Sequence, residues 1–339
     1  TAMKQKKLYN VAVLGATGAV GQEMIKVLAE RKFPIGELRL LASARSAGKA
    51  VRYEGREVVI QEAYDAAFEG MDIVLGAAEN DIAKRFAPAI QAAGAVFVDN
   101  SSAFRLDPDV PLVVPEINAE DAYTQKKGII ANPNCSTIIT LMALAPIARI
   151  SSIETIVAST YQAVSGAGAN GLTELEAQAQ AYPKGEPLTA NAFPHQILFN
   201  LLPRIGGIGE NGYSSEEMKL QNEGRKILHL PELRVTCTCV RVPVMRSHSI
   251  SATFTTKRPV SVEEARAAIA AAEGVQLVDN PNNDVYPMPL DTSDQDDVFV
   301  GRIRRDLVSE NGLTLWCCGD QIRKGAATNA VQIAELLVK

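Results

Sequence analysis

Short apolar runs alternate with longer, mixed segments in the first part of the chain. The runs at 9–14, 38–42, 72–77, 95–99 and 129–131 are typical of buried strands. The segments 22–30 and 80–93 lie between such runs and have the spacing of helices. Strands that alternate with helices of this length predict an α/β fold with a parallel, doubly wound sheet.

The second part of the chain predicts another α/β domain. Strand-like runs occupy 156–160, 234–242, 249–255 and 313–318, and helical segments occupy 139–149 and 326–337. Residues 182–194 contain three prolines and are interpreted as an excursion rather than a linker. We therefore expect a nucleotide-binding domain at 1–131, completed by the C-terminal helix within 321–339, and a second domain at 132–320.

A glycine-rich turn lies between the first strand and the first helix. Its spacing is G-x-x-G-x-x-G over residues 15–21. Glycines permit a tight turn and close approach of a pyrophosphate, and the following helix N-terminus attracts the anion. This context predicts a Rossmann-type dinucleotide site at Gly15, Thr17, Gly18, Ala19 and Val20. A tight turn without a ligand is the alternative.

The end of the second strand indicates which dinucleotide binds. An NAD site usually has Asp or Glu there for the ribose 2′-hydroxyl. Here Ser43, Arg45 and Ser46 follow the strand instead, and Arg45 can pair with a 2′-phosphate. We therefore favour NADP(H), although Arg45 could also be a solvated loop residue.

Composition excludes several classes of partner. The 339 residues are 47% hydrophobic and 22% charged, with a net charge of −5, which gives no general attraction to nucleic acid or anionic membranes. No apolar run approaches the roughly 20 residues that span a bilayer. The polar residues 1–10 do not resemble a signal peptide, and the cysteine count of five is odd. Both features favour reduced thiols in the cytoplasm.

One cysteine differs from the other four in its surroundings. Cys135 lies in the polar segment 132–137, directly before a predicted helix, and Asn134 or a neighbour could cap that helix. A helix N-terminus lowers a thiol pKa, so Cys135 is a candidate nucleophile, with a structural cysteine as the alternative. Cys237 and Cys239 would share one face of a strand, and zinc-like spacing is absent, so no metal is expected.

Two further polar clusters follow predicted strands or precede them. Gln162, Ser165 and Gly166 follow 156–160, where an amide could orient a carbonyl and glycines could approach a nicotinamide; a flexible loop is equally compatible. Among the three histidines, His195 and His229 have apolar neighbours and are interpreted as structural. His248 has polar neighbours and is the best candidate general base, with a surface histidine as the alternative.

These motifs together resemble the aspartate-semialdehyde dehydrogenase family, in its shorter bacterial branch. The resemblance covers nearly the whole chain and is carried by the segments 15–21, 43–46, 99–105, 132–137, 162–166, 216–219, 241–244 and 246–248. Ser247 departs from the family pattern, where Gly or Ala is expected before the histidine.

The resemblance implies a role for each matching position. Cys135 matches the nucleophile, His248 the acid/base, Gln162 the substrate-orienting residue and Asn134 an active-site amide. Arg241 matches the clamp on the substrate carboxylate. The other matches are Glu216 for the substrate ammonium, Arg105 and Lys219 for phosphate, and Gln321 for the cofactor. Without the resemblance, Glu216 and Lys219 would be interpreted as a solvated surface pair.

The family chemistry implies that the Cys135 thiolate attacks aspartate 4-semialdehyde, that NADP⁺ takes a hydride, and that phosphate releases aspartyl phosphate. Biosynthesis of lysine, threonine, methionine and diaminopimelate uses the reverse direction. The resemblance also implies a homodimer, or a tetramer, formed through the second domain. Two alternatives remain: N-acetyl-γ-glutamyl-phosphate reductase and a non-catalytic nucleotide-binding paralogue. Glyceraldehyde-3-phosphate dehydrogenase shares the thioester chemistry, but its Ser-Cys-Thr-Thr signature is absent.

Overall fold

The computed structural model describes residues 5–339. The chain forms two compact units, one made of the described residues up to Asn134 together with Ala326–Lys339, and the other of Cys135–Gly325. The expectation about residues 1–10 falls partly on 1–4, which lie outside the described residues.

The first unit contains a seven-stranded sheet with helices. Its elements are β1 (Tyr9–Leu14), α1 (Ala19–Glu30), β2 (Ile35–Ala42), β3 (Ala50–Tyr53), β4 (Arg56–Glu62), β5 (Ile73–Gly76), α2 (Asn80–Ala92), β6 (Val96–Asp99), α3 (Pro115–Asn118) and β7 (Ile129–Ala131), with α9 (Thr328–Val338) at the end of the chain. The strand order is β3-β4-β2-β1-β5-β6-β7, and every neighbouring pair is parallel except β3 with β4. The predicted doubly wound sheet is confirmed.

The last helix joins the core of the first unit. Val331, Ile333 and Leu337 of α9 are buried in the same apolar cluster as the residues of α1 and the sheet. Arg31 at the end of α1 binds Glu335 through two hydrogen bonds of 2.7 and 2.8 Å. A C-terminal segment thus completes a unit that begins at the other end of the chain.

The second unit contains a six-stranded mixed sheet and several helices. Its elements are α4 (Cys135–Ala148), β8 (Ile153–Gln162), α5 (Gly168–Ala181), α6 (Ser215–Ile227), β9 (Arg234–Arg241), β10 (His248–Thr256), α7 (Val262–Ala270), β11 (Val275–Leu277), α8 (Pro289–Thr292), β12 (Val298–Arg305) and β13 (Gly312–Gly319). The order is β11-β12-β13-β10-β8-β9, so β9 is an edge strand, paired in parallel with β8.

Helix α4 is the central helix of this unit. All its residues from Ser136 to Ile147 are buried, and it packs against α6, α7, β10, β12 and β13. A helix that is apolar on every side is typical of a buried position. Along β8, by contrast, Ile156 and Ala158 are buried while Val157 and Tyr161 are exposed, so the other face of the sheet is open.

Several element boundaries differ from the predictions. Helix α1 begins at Ala19, inside the glycine-rich turn, and α4 begins at Cys135 itself. Before α9 the segment Arg323–Ala327 forms a π-helical turn, so the regular helix begins at Thr328. The histidines 195 and 229, interpreted as structural on account of apolar neighbours, are exposed.

Candidate functional site

Cys135 is the first residue of α4, at the positive end of the helix dipole. Its Sγ lies 3.5 Å from Nε2 of His248. A thiolate there would be stabilised by the positive end of the helix dipole and by a hydrogen bond from the imidazole. The sulfur and the imidazole that the sequence predicted as partners are therefore in contact.

The hydrogen bond at the other ring nitrogen determines the tautomer of His248. The backbone N–H of Ala163 donates to Nδ1 over 3.0 Å. Because Nδ1 accepts, the proton of the neutral ring lies on Nε2, the atom that faces Cys135. Neutral His248 is thus a hydrogen-bond donor toward the sulfur and toward an oxygen that develops negative charge next to it.

The surroundings of His248 disfavour its charged form. The residue is fully buried, and burial together with the positive charge of Arg241 lowers the pKa of His248 to about 3, against a smaller opposing effect of Glu216. The alternative of a surface histidine is wrong. These surroundings favour the neutral imidazole, whose one N–H lies on Nε2.

Glu216 lies on the first turn of α6 and is 9% exposed. Its Oε2 accepts a hydrogen bond from Lys219 Nζ over 2.7 Å, and its Oε1 lies 3.3 Å from Nε2 of Gln162 and 3.4 Å from Oγ of Ser136. A solvated surface pair does not fit this environment, because the carboxylate is buried next to the thiol-bearing helix. The group offers negative charge to a substrate cation.

Arg241 ends strand β9 and is 7% exposed. One of its NH groups donates to the carbonyl oxygen of Ala163 over 2.8 Å, and the guanidinium lies 5.8 Å from the ring centre of Phe193. Burial lowers the pKa of Arg241, while the charges of Cys135 and Glu216 oppose that shift. Arg241 therefore brings a cation next to the thiol and opposite the carboxylate of Glu216.

Two glycines permit this close packing. A Cβ at position 166 would lie 2.6 Å from an NH of Arg241 and 3.1 Å from Cε1 of His248. A Cβ at position 325 would lie 3.0 Å from Cβ of Cys135 and 3.3 Å from Cβ of Gln321. Gly325 was not predicted, because an isolated glycine near a helix gives no sequence signal for its neighbours.

Two buried polar atoms in this unit suit a bound cofactor. Oγ of Ser165 and Oε1 of Gln321 have no hydrogen-bond partner among the described residues, although the two residues are only 3% and 4% exposed. Buried polar groups are ordinarily paired. A nicotinamide carboxamide offers both a donor and an acceptor, so these two residues fit such a group.

The glycine-rich turn of the first unit has the geometry of an anion site. Gly18 is the N-cap of α1 and has no side chain to cap the helix, so the N–H groups of the first turn, which includes Ala19 and Val20, can bind a phosphate. A Cβ at Gly15 would lie 2.7 Å from the carbonyl oxygen of Ala77, and Gly15 has φ +85°. Thr17 is exposed within this turn.

The predicted cofactor loop follows β2 in the same unit. Ser43 and Arg45 are exposed, and Ser46 donates its N–H to the carbonyl oxygen of Ser43 over 2.9 Å. Register along the sheet pairs Ala42 of β2 with Glu62 of β4. Glu62 thus brings a carboxylate to the end of the neighbouring strand, which reading the second strand alone did not reveal.

Arg105 and Asn134 also lie in the first unit and are buried. Arg105 donates from Nε to the carbonyl oxygen of Asn132 over 2.9 Å and from NH2 to that of Asn100 over 2.8 Å. The guanidinium is thereby fixed where β6 and β7 end. Asn134 directly precedes Cys135 in the chain.

Asp320 supports the site, although the sequence did not single it out. It is fully buried and accepts hydrogen bonds from Nε of Arg246 over 2.5 Å and from the N–H of Ile322 over 2.9 Å. Its carbonyl oxygen accepts the N–H of Gly325 over 3.1 Å, which forms the π-helical turn. Asp320 thus connects the segment before His248 to the turn that carries Gln321.

Two properties of the described residues concern other classes of function. Among them, no helix is both long and apolar enough to cross a membrane. The same residues include no group of three His, Cys, Asp or Glu side chains arranged to hold a metal ion, and none of the five cysteines forms a disulfide.

Two family models match the chain. Residues 10–125 match "Semialdehyde dehydrogenase, NAD binding domain", and residues 144–324 match "Semialdehyde dehydrogenase, dimerisation domain". The aspartate-semialdehyde dehydrogenase of Aquifex aeolicus is 52% identical over 98% of both chains, and aspartate-semialdehyde dehydrogenase 2 of Vibrio cholerae is 45% identical over 98% of both.

Solved structures agree with these matches. The crystal structure of aspartate semialdehyde dehydrogenase II complexed with ASA from Vibrio cholerae has a TM-score of 0.96 at 44% identity, covering 98% of this chain and 99% of that one. Aspartate semialdehyde dehydrogenase with NADP from Candida albicans has a TM-score of 0.73 at 27% identity, covering 97% of this chain and 98% of that one.

Proposed function

Because the chain belongs to the aspartate-semialdehyde dehydrogenase family, we propose that it catalyses the NADP-dependent, reversible conversion of aspartate 4-semialdehyde and phosphate into 4-aspartyl phosphate through a thioester on Cys135. The reaction consumes aldehyde, phosphate and NADP⁺ and yields acyl phosphate, NADPH and a proton. In the reductive direction it serves amino-acid biosynthesis. The contact of 3.5 Å between Cys135 Sγ and His248 Nε2 carries this proposal.

The acid/base role of His248 follows from its tautomer. When the sulfur attacks the aldehyde, the carbonyl oxygen acquires negative charge, and the Nε2–H group can stabilise it by donating a hydrogen bond. The backbone N–H of Ala163 occupies Nδ1, so Nε2 is the only ring position that exchanges protons with the reacting atoms. Gln162, whose amide lies 3.5 Å from the same nitrogen, orients the substrate carbonyl.

The charges around the thiol match an amino-acid substrate. Arg241 supplies a guanidinium for the α-carboxylate, which arginine binds through two parallel hydrogen bonds. Glu216 supplies a carboxylate for the ammonium, and the substrate ammonium would share it with Lys219. This supports a free amino group over an acetylated one, which carries no charge, and so disfavours N-acetyl-γ-glutamyl-phosphate reductase.

The remaining roles are parts of the same proposal. NADP⁺ supplies the hydride acceptor when bound; the glycine-rich turn binds its pyrophosphate, Arg45 its 2′-phosphate, and Ser165, Gly166 and Gln321 its nicotinamide. Arg105, Lys219 and Asn134 serve the phosphate and the reacting groups. In this scheme residues 1–131 with 321–339 bind the cofactor, and residues 132–320 carry catalysis and dimerisation.

The proposal extends to the assembly and location of the protein. The match of 144–324 to a dimerisation domain and the open face of the second sheet support a homodimer. The five cysteines, all within the described residues, form no disulfide, which supports a reducing, cytoplasmic location. A non-catalytic paralogue is disfavoured because the catalytic and substrate-binding groups are retained. These groups belong to Cys135, Gln162, Glu216, Arg241 and His248.

The proposal is tested by replacing the nucleophile. Cys135→Ala should abolish phosphate-dependent NADPH formation from aspartate semialdehyde while NADPH binding, followed by fluorescence, is retained. Cys318→Ser, which alters a buried cysteine outside the cluster, is the matched control and should keep activity. Turnover by Cys135→Ala would refute the thioester mechanism. A preference of the wild-type protein for an N-acetylated substrate would refute the proposed substrate.

A further inference from the structure

The face of α6 that meets strand β9 carries two side chains that the proposed reaction does not use. Val235 and Cys239 of this edge strand point their N–H groups toward the helix. Glu217 accepts the N–H of Cys239 on Oε1 over 3.1 Å, and Gln221, one helical turn further along, accepts the N–H of Val235 over 3.0 Å. Side chains of α6 thus take the place of a further strand along part of this edge.

Glu217 has a second contact that Gln221 lacks. Its Oε2 accepts the N–H of Ser214 over 2.8 Å, and Ser214 Oγ in turn accepts the N–H of Glu217 over 3.2 Å. This reciprocal pair is a capping box, which fixes the first turn of the helix. One carboxylate therefore holds both the start of α6 and the backbone of β9.

The two elements that Glu217 joins carry the proposed substrate-binding groups. Glu216 is its neighbour on the first turn of α6, and Arg241 is two residues beyond Cys239 on the same buried face of β9. A substrate that carries an ammonium and a carboxylate must contact both groups at once. The separation of Glu216 from Arg241 therefore affects its binding directly.

We propose that Glu217 is a positioning residue that sets the distance between Glu216 and Arg241 and thereby the affinity for the amino-acid part of the substrate. This inference rests on the roles proposed for those two residues. The hydrogen bonds of Glu217 join it to Ser214 and Cys239 and not to the thiol or the imidazole, so it acts on substrate binding through α6 and β9.

The test uses a nearly isosteric replacement. In Glu217→Gln only one oxygen remains to accept an N–H, and the new NH₂ group faces the other donor. We expect the KM for aspartate semialdehyde to rise about tenfold, with kcat changed less than about twofold and the KM for NADP⁺ unchanged. A residue that only stabilised the fold would lower the melting temperature and the active fraction without this selectivity.

Gln221→Leu is the matched control. It removes the same kind of contact one turn further from the site, so we expect a comparable loss of melting temperature with an unchanged KM for the semialdehyde. An unchanged KM in Glu217→Gln, or an equal rise in Gln221→Leu, overturns the inference. Should Glu217→Gln not fold, Glu217→Asp keeps the charge with less reach and is judged by the same criteria.

Two further variants separate this inference from the proposed substrate site. Glu216→Gln and Arg241→Lys should each raise the KM for the semialdehyde in the same assay. If they do and Glu217→Gln does not, only the positioning role is wrong. If they do not, the assignment of Glu216 and Arg241 is wrong, and the inference is overturned with it.

Discussion

Among single residues, His248 depends most strongly on its surroundings, since its charged form is disfavoured by burial and by Arg241. In the folded state its pKa is about 3, against an ordinary value of 6.5. Between these two pH values the unfolded chain binds a proton that the folded chain does not. Because of this residue, the free energy of unfolding therefore decreases as the pH falls from 6.5 toward 3, and it does not change above pH 6.5.

This difference predicts a measurable pH dependence. At pH 5 the proton bound by the unfolded state costs the fold about 2 kcal/mol relative to pH 7. His248→Asn cannot take up that proton, so its free energy of unfolding should fall less between pH 7 and pH 5 than that of the wild type. Urea denaturation of both proteins at the two pH values measures this, and parallel pH dependences would contradict a neutral buried imidazole.

The close packing around Gly166 predicts that a side chain at this position would weaken substrate binding. A methyl group there would lie 2.6 Å from Arg241, so the guanidinium must move. Gly166→Ala should therefore raise the KM for the semialdehyde roughly tenfold or more while the protein still folds. Gly185→Ala is the control, because its Cβ would meet nothing within 4 Å, although its φ of +68° makes some loss of stability inevitable. Equal kinetic effects in the two variants would contradict this explanation.

The candidate residues could be found from the sequence because their chemistry is unusual for their positions. The polar segment around Cys135 and the polar neighbours of His248 indicated a site, and the two side chains are in contact. Glu216 and Lys219 could be interpreted only through the family resemblance, since their burial arises from tertiary packing. The exposure of His195 and His229 was missed for the same reason: apolar neighbours in sequence do not ensure burial.

At the scale of elements, the π-helical turn Arg323–Ala327 is the least regular part of the site. Such turns are uncommon and occur frequently at functional positions. Here the turn brings Gly325 against Cys135, and Asp320 holds it through the N–H of Ile322 and the carbonyl contact with Gly325. The conformation of the turn therefore depends on a buried carboxylate.

Removing the charge of Asp320 should disturb the turn and the loop before His248 together. Asp320→Asn leaves a neutral acceptor for Arg246 and places an NH₂ group among N–H donors. We expect a loss of roughly 2–4 kcal/mol in stability and a rise in the KM for NADP⁺, because Gln321 is the next residue. Asp306→Asn, in the exposed hairpin, is the control, and an unaltered KM for NADP⁺ in Asp320→Asn would count against the role of the turn.

Element types were more predictable than element boundaries. Nine strands were recognised because apolar runs of their length have few alternatives, whereas β3, β4, β11 and β12 were missed. The start of α4 was placed four residues too late, at 139, because polar residues at a helix start resemble a loop. The π-helical turn gave no periodic signal, since it contains only five residues.

At the scale of the whole molecule, α4 packs against the second sheet, and the other face of that sheet is exposed along β8. Val157 is 54% exposed on β8, and the rings of Tyr161 and Trp316 lie 5.4 Å apart on β8 and β13. Apolar and aromatic side chains on an open sheet face are typical of an interface. The proposed homodimer would bury them.

A charge at the centre of this face should prevent association. Val157→Arg is expected to convert the dimer to a monomer in size-exclusion chromatography with light scattering, because an unpaired buried guanidinium is costly. Val308→Arg, at a hairpin tip that is 92% exposed, is the control and should remain dimeric. A dimeric Val157→Arg would show that the subunits associate through another surface.

The division of the chain into two units shows where sequence patterns are sufficient. Alternating strands and helices predicted the parallel sheet, and its order follows the rules for such folds. The mixed order of the second sheet was not predicted, because β8 and β9 pair across a long excursion that contains α5 and α6. Strand pairing between distant segments depends on packing that no local pattern records.

The edge strand β9 has a consequence for the aggregation of the protein. An exposed edge strand can pair with a strand of another chain. In this protein the N–H groups of Cys239, Val235 and Arg241 in β9 donate instead to Glu217, Gln221 and Leu202. Loosening α6 would therefore expose a template for intermolecular β-structure. Variants at this helix should form insoluble, thioflavin-binding deposits on mild heating, whereas variants of the catalytic thiol should not.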